Sequence, residues 1–482
     1  MTRPNAAVVG IGVSGQAAAA LLDQYGYAVT CFDQSATEVP AALSGTVTAL
    51  ITVADPVKMG EAICAFAPSV VVLSPGVPEM SPIATIPKSE GIDVIGEVEL
   101  AYRARALQAK PAKWLAVTGT NGKTTTVGMT ESILKAAQID AIQTGNVGYP
   151  VTKAVIENHE VLVAELSSFQ LATTVTLAPW ASICLNVDSD HLDWHGDVDA
   201  YKAAKAHVYD RVQRARFAFA DDSATAEMAR DGAGPSESLL VPLTFGAVAS
   251  GDIGIVDGIL IDLAFLDSPE DEPTIADLRQ VPLLSGALTQ RDGVSSPLVR
   301  DALAAAALAR SLGVAGGDIV TGLQAFRMAP HRFAHVPTDD ERYWVDDSKA
   351  TNVHAASSAL RSVVAGTVVW IVGGDAKGQD LSALVREASQ VAKAAVVIGA
   401  EQQDLLEVFR ANAPDLPVVS VPGVGPVESW MREAVRACDR LAGVGDTVLL
   451  APACASWDQF VSYSQRGDVF QQAVADVVGG EG

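Results

Sequence analysis

Short apolar runs, each closed by glycine or polar residues and followed by helical spacing, recur from one end of the chain to the other. In the first series, Ala6–Gly10, Ala28–Phe32 and Ser69–Leu73 read as strands. Helices run from the Gly10–Gly15 turn to about Gln24 and from Gly96 to about Leu107. A second series opens on the run Leu115–Thr118 and continues with strands at 161–164 and 181–186 and an alanine-rich helix at Val299–Leu312. A third has strands at 343–346, 368–372, 394–398, 418–421 and 447–450. Unbroken apolar strands alternating with helices predict parallel sheets covered on both faces, an α/β fold.

The series are punctuated at Gln108–Lys113, which contains Pro111, and again near Met328-Ala329-Pro330. Three domains are therefore expected: 1–110 and 330–482, both Rossmann-like, around a central P-loop-type parallel-sheet domain at 111–329. A chain of 482 residues accommodates three cores. Residues 233–297 are rich in Gly, Ser and acids; a hairpin at Asp257-Gly258 is the one feature the pattern assigns there.

Apolar residues make up 49% and charged residues 19%, the composition of folded rather than disordered material. No run of about 18 apolar residues exists to span a membrane, and the N-terminus lacks a charged leader, so a cytoplasmic protein is expected. Five scattered cysteines without metal spacing read as reduced thiols. The net charge of −24 disfavours nucleic acid as a partner. Small anionic ligands remain open, because salt screens exposed charges beyond ~8 Å while a nearby lysine acts locally.

Candidate chemistry lies at the ends of the predicted strands. Gly10-Ile-Gly12-Val-Ser-Gly15, with Asp33 closing the next strand, matches the dinucleotide-type fingerprint. Gly119-Thr120-Asn121-Gly122-Lys123-Thr124-Thr125 follows a strand and opens a helix. This order suits a triphosphate: glycines let backbone N–H groups approach, Lys123 neutralises charge and the Thr124 hydroxyl can hold Mg²⁺. Val117 stands where the usual P-loop has its first glycine. Glu165 ends a strand, where it suits Mg²⁺ or else the cap of the next helix. Asp188, Asp190, His191, Asp193 and His195 crowd one strand terminus, and spacing alone does not choose between the histidines. Lys202 and Lys205 fall on adjacent faces of a helix, which an ordinary solvated surface explains equally well. In the third series Asp346–Asn352, Gly373–Lys377 and Ala451–Phe460 each follow a strand, and presenting Lys349, Lys377 and Ser456 they suggest one anion pocket. Pro330-His331-Arg332 sits at the domain junction, where an arginine could reach phosphates.

Together, Gly119-Thr-Asn-Gly-Lys-Thr, Glu165-Leu-Ser-Ser-Phe-Gln, Asp190-His191-Leu-Asp193, Pro330-His331-Arg332 and Asp347-Ser-Lys-Ala-Thr-Asn352 resemble the Mur ligases, the ATP-dependent amino-acid ligases of peptidoglycan synthesis. Asp-Ser-Lys-Ala-Thr-Asn and Ala-Cys-Ala-Ser-x-Asp-Gln-Phe look like the D-glutamate-adding branch. The resemblance implies ligation of D-glutamate to UDP-N-acetylmuramoyl-L-alanine through an acyl phosphate, with ATP and Mg²⁺, by a monomer. It implies that Ser14, Asp33, Ser74, Gly76 and Asn146 bind the UDP-sugar. Lys123, Thr124, Arg332 and Asp347 would contact ATP, and Glu165 and His191 would hold Mg²⁺. Lys205 would be carbamylated as a further metal ligand, Lys349 would approach the reacting phosphate, and Thr351, Lys377, Ser456 and Tyr463 would hold D-glutamate. Three departures stand out: Ser295-Ser296 and Asp301 lie where the family has His-Asn-x-x-Asn, Tyr463 replaces a usual Phe, and Gln34-Ser35 replace a basic neighbour of Asp33. Folylpolyglutamate synthases share the phosphate loop but not the third-series motifs. An NAD-dependent dehydrogenase would leave Gly119–Thr124 without a task, and a non-catalytic nucleotide-binding protein would not need Lys349 or Ser456.

Overall fold

The computed structural model describes residues 3–479 apart from 109, 188–196, 233, 236–237, 267–272, 285–296, 329 and 339. Three sheets carry the chain. The first contains β1 (Asn5–Val9), β2 (Ala28–Asp33), β3 (Val47–Thr52), β4 (Val70–Leu73) and β5 (Asp93–Gly96), all parallel in the order β3-β2-β1-β4-β5. Helices α1 (Val13–Gln24), α2 (Pro56–Phe66), α3 (Pro82–Ser89) and α4 (Glu97–Arg105) connect and follow these strands. Chain order reverses between β1 and β4, and the Gly10–Gly15 turn and Ser74 both lie there, at the carboxyl ends where α/β sheets bind ligands.

The second sheet contains β6 (Lys113–Thr118), β7 (Ala141–Gly145), β8 (Val161–Glu165), β9 (Ala181–Cys184), β10 (Ala215–Phe219), β11 (Leu239–Phe245), β12 (Ile253–Val256), β13 (Ile259–Asp262) and β14 (Thr274–Asp277). Its order is β14-β13-β12-β11-β10-β9-β6-β8-β7, parallel from β7 through β12 and antiparallel across β12-β13-β14. The turn at Asp257-Gly258 joins β12 to β13 as the expected hairpin. Helices α5 (Lys123–Ala136), α6 (Val151–Glu157) and α7 (Ser168–Ala172) follow β6, β7 and β8.

The first two sheets belong to one compact unit, Met1–Phe326. One apolar core joins them: Ile11, Leu22, Val98 and Tyr102 from the first share a cluster with Trp114, Val151, Val155 and Leu162 from the second. Glu99 adds polar anchoring, accepting Val175 N and Thr176 N at 2.8 Å each. The second unit, Arg327–Gly482, carries the third sheet. Its strands β15 (Ala334–Val336), β16 (Tyr343–Asp346), β17 (Val368–Gly373), β18 (Ala392–Ile398), β19 (Val418–Ser420) and β20 (Thr447–Leu450) lie in the order β15-β16-β20-β17-β18-β19. All pairs are parallel except β15-β16. Among the described residues no helix is long and apolar enough to cross a membrane.

Candidate active site

The glycine loop leaves β6 between β9 and β8 and enters α5. Gly122 caps that helix at φ +83°, and a Cβ there would stand 2.4 Å from Asp301 Oδ1, so only glycine fits. The N-cap of α5 is Gly122, which has no side chain to cap it, and the positive end of the helix favours an anion at the loop. The loop is pinned from behind: Thr120 N donates to Asn186 O (3.1 Å) and Asn121 N to Asn186 Oδ1 (2.9 Å). Lys123 Nζ folds over it, donating to Gly119 O at 2.7 Å and Thr120 O at 2.9 Å. Thr125, the last loop residue named above, is buried in the first turn of α5.

Glu165 is 2% exposed at the tip of β8. It does not cap the next helix; Ser167 and Gln170 do that with a capping box. Its Oε2 instead accepts the Thr124 hydroxyl at 2.7 Å, and its Oε1 accepts Asn146 Nδ2 at 3.0 Å. A carboxylate, a threonine hydroxyl and a side-chain amide grouped beside a phosphate loop are hard oxygen chemistry that fits Mg²⁺. The structure separates the two lysines that spacing left equivalent. Lys205, on helix Val198–Ala206, is 2% exposed and donates to Gly119 O at 2.9 Å beside the Tyr201 ring, while Lys202 stays partly exposed. Asp188, Asp190, His191, Asp193 and His195 lie outside the described residues, as do Ser295 and Ser296.

In the first sheet, Gly15 packs α1 so closely on β1 that a Cβ would come within 1.8 Å of Gly10 O. Asp33, ending β2, accepts Ile11 N at 3.1 Å and both Ser35 N and Ala36 N at 3.0 Å. Burial pushes its carboxyl up, but those backbone donors outweigh it and hold Asp33 below the ordinary aspartate range. Ser74 Oγ lies 3.3 Å from Gly10 O, Ser14 sits in the first turn of α1, and Gly76 is exposed on the loop after β4.

In the second unit the three loops meet at neighbouring strand ends. Ala453 N donates to Ala350 O at 2.9 Å, and Asp375 and Ala455 exchange backbone bonds at 3.0 and 2.8 Å. Arg466, 1% exposed, clamps two of them, donating to Ser348 Oγ (3.0 Å), Ser348 O (2.9 Å) and Cys454 O (3.1 Å). Burial pushes its guanidinium down to about 10. Lys349 Nζ lies 5.4 Å from the Tyr463 ring centre and Lys377 Nζ 4.2 Å from that of Trp457. Ser456 is buried at the same loop cluster, and Thr351 lies partly exposed two residues past Lys349. His331 holds a left-handed backbone at φ +60° and pairs through Nδ1 with Asp346 Oδ2 at 2.7 Å. Burial drives the Asp347 carboxyl up to about 7, against the Phe333 N–H and the Arg332 guanidinium. Asn186 and Arg466 are not among the candidates that the sequence offers.

Residues 117–245 match the Mur ligase middle domain and residues 331–454 the Mur ligase, glutamate ligase domain. The chain belongs to the Mur ligase family. It is 42% identical over 480 residues, covering 98% of each chain, to the UDP-N-acetylmuramoylalanine–D-glutamate ligase of Thermobifida fusca. To the enzymes of the same name from Leifsonia xyli and Mycolicibacterium smegmatis it is 40% and 38% identical, covering 98% of this chain and 92% and 96% of theirs. The fold is shared with the crystal structure of MurC, the UDP-N-acetylmuramate–alanine ligase of Thermotoga maritima (TM-score 0.53, 18% identity, 98% and 99% coverage), and with MurF of Acinetobacter baumannii (0.55, 17%, 99% and 91%).

Proposed function

We propose that this chain joins D-glutamate to UDP-N-acetylmuramoyl-L-alanine, consuming ATP and releasing ADP and phosphate in peptidoglycan precursor synthesis. The carrying observation is the Thr124 hydroxyl held 2.7 Å from Glu165 at the mouth of a glycine loop that Lys123 overhangs. Each domain takes one reactant: 1–110 the UDP-sugar, through Ser14, Asp33, Ser74 and Gly76 with Asn146; 111–329 ATP; 330–482 D-glutamate, through Thr351, Lys377, Ser456 and Tyr463. A cytoplasmic monomer is the proposed form.

The chemistry follows from the leaving group. A carboxylate resists attack by an amine because it would have to expel oxide. Transfer of the ATP γ-phosphoryl to the alanyl carboxylate makes an acyl phosphate, and the D-glutamate amine attacks its carbonyl carbon. The tetrahedral intermediate closes to the amide as phosphate leaves and the amine loses its proton. The loop N–H groups and Lys123 would hold the nucleotide phosphates in line with the carboxylate, and Lys349 is proposed to approach the transferring group during turnover. Arg332 and Asp347 are proposed nucleotide contacts. Thr124, Glu165, His191 and carbamylated Lys205 would hold Mg²⁺, which neutralises charge on the phosphates when bound.

The test is phosphate release from ATP across candidate amino acids with UDP-N-acetylmuramoyl-L-alanine as acceptor, read alongside mass detection of the product. Release only with D-glutamate, stoichiometric with a new amide, is expected. ATP splitting without an amide, or no splitting when every substrate is present, would refute the reading.

A further inference from the structure

Trp457 is out of place by its chemistry. It is 70% exposed, whereas Trp114, Trp344, Trp370 and Trp430 are each at most 2% exposed, and it stands next to the buried Ser456 on the loop after β20. An indole left in water forgoes the burial that its large apolar face could supply, so an exposed one calls for a neighbour or a ligand. The loop beneath it is fixed. Asp375 and Ala455 exchange backbone hydrogen bonds at 3.0 and 2.8 Å, and Asp458 Oδ2 accepts Ala400 N at 3.2 Å. Over the indole face lies the Lys377 ammonium, with Nζ 4.2 Å from the ring centre. Lys377 is held at its other end as well. Its backbone sits at φ +48°, a left-handed conformation uncommon for a residue with a Cβ, and its N–H donates to Asp375 Oδ1 at 2.9 Å. The backbone therefore fixes where the side chain starts, and the indole fixes where it ends. Among the described residues no carboxylate lies within ion-pair distance of that ammonium.

We propose that Trp457 is a positioning residue for the amino-acid substrate: its ring seats the Lys377 ammonium where it meets a carboxylate of the incoming D-glutamate. A lysine side chain with four rotatable bonds loses that freedom when it grips a ligand, and a seat that removes the freedom beforehand strengthens binding. The kind of seat matters. An acidic partner would orient the ammonium equally well, but it would compete with the carboxylate of the ligand and cancel the attraction. An aromatic face holds a cation through its quadrupole and leaves the positive charge uncancelled for an anion. The inference rests on the assignment of Lys377 to D-glutamate under the proposed function. The plainer alternative, that the ring only covers the aliphatic stem of Lys377, predicts a small change in stability and none in substrate affinity.

The test compares full-length wild type with Trp457→Ala, Trp457→Phe, Lys377→Ala and the double variant Trp457→Ala/Lys377→Ala, by amide formation from D-glutamate, ATP and UDP-N-acetylmuramoyl-L-alanine. The readouts are KM for each substrate, kcat and the melting temperature. Trp457→Ala is expected to raise KM for D-glutamate about fivefold, with kcat and KM for ATP and the nucleotide sugar within about twofold of wild type. Trp457→Phe keeps an aromatic face and is expected to bring KM for D-glutamate back to within about twofold of wild type. Adding Trp457→Ala to Lys377→Ala is expected to raise that KM no further, because the ring acts only through the ammonium. An unchanged KM for D-glutamate in Trp457→Ala, a rise shared by all three substrates, no recovery in Trp457→Phe, or losses that add in the double variant would overturn the inference. With its ring exposed, Trp457→Ala is expected to melt as wild type does. A lowered melting temperature beside an unchanged KM assigns the ring to packing and overturns the inference as well. If Lys377→Ala leaves KM for D-glutamate unchanged in an active enzyme, the inference fails while the proposed reaction stands; wild type that makes no amide from D-glutamate condemns both.

Discussion

Replacing Asp347 by Asn should stabilise the second unit and impair ATP turnover at the same time, and pH should control the first effect. The Asp347 carboxyl is driven from the ordinary 3.8 to about 7, chiefly by burial, with Asp346 adding to the rise and Phe333 N–H, Arg332 and Lys349 opposing it. A carboxyl raised in the folded state contributes its full stability below the unfolded value, where both states hold the proton. That contribution is lost as pH rises through the folded value, because the folded chain must then carry a poorly solvated charge. A rise of this size corresponds to roughly 4 kcal/mol by linkage. Asp347 retains partial exposure, so solvent screening reduces the figure, and about 2 kcal/mol is the working estimate. Asn carries no charge at any pH, and its Oδ1 can still accept the Phe333 N–H. Calorimetry between about pH 4 and pH 8.5 should show the Asn variant melting roughly 4–8 °C above wild type at the alkaline end and converging near pH 4. Steady-state assays on the same samples should show kcat/KM for ATP falling about tenfold or more. An Asn variant no more stable than wild type at pH 8, or a stability gain that does not change with pH, would refute the reasoning.

Lys123→Ala should lower kcat by about 10³-fold with an unchanged circular dichroism spectrum, because its ammonium is proposed to meet the transferring phosphates; near-normal ATP consumption would remove the loop's assigned role. Gly122→Ala places a Cβ 2.4 Å from Asp301 Oδ1 at φ +83° and should cost about 1–3 kcal/mol in chemical denaturation while raising KM for ATP. Glu99→Ala removes the acceptor of the Val175 and Thr176 N–H donors and one of the two carboxylates on Arg103, which keeps Asp93, and should cost about 1–3 kcal/mol near pH 7. Burial raises the Glu99 carboxyl, but its donors outweigh that and hold it low, so this stability is present above the unfolded glutamate pKa and lost as pH falls through the folded value. Melting curves at pH 7 and about pH 3 should therefore show the variant and wild type converging in acid.

Which strands could be read from the chain follows from where they sit. Val161–Glu165 and Val368–Gly373 are buried at every position, so their apolar runs are continuous and stand out. Three strands that the pattern does not mark, Val47–Thr52, Asp93–Gly96 and Ala141–Gly145, are sheet edges, whereas Ala215–Phe219, also unmarked, lies inside the second sheet between β9 and β11. Val47–Thr52 has no fully buried residue and Ala141–Gly145 reads Ala-Ile-Gln-Thr-Gly, so neither shows the pattern that a central strand must have. The Asp257-Gly258 turn was legible because an αL position writes itself into the sequence. The strands around it were not, being short and, in Leu239–Phe245, interrupted by Pro242.

The site divides the same way. A phosphate loop is local, so Gly119–Thr125 declares itself in seven consecutive residues; a side chain that works from a distant element does not. Lys202 and Lys205 are indistinguishable by spacing, and only the packing of their helix under the loop carries Lys205 to Gly119 O. Asn186, which ties down the loop backbone from beyond β9, left no signal at all. Arg466 did leave one. Arg466, Phe470, Ala473 and Val474 are all buried and fall at i, i+4, i+7 and i+8, so an arginine occupies the first place in an apolar helical stripe. A cation is kept in such a position only when fixed acceptors surround it, here the Ser348 and Cys454 carbonyls of two separate loops. The same reasoning applies to Glu97, an acid that opens a helix with its side chain turned inward, where a solvated residue would be expected. In both, the misfit between residue type and position marks a buried polar tie: Arg466 joins two loops that carry residues proposed to touch substrate, and Glu97 joins α4 to the first turn of α6.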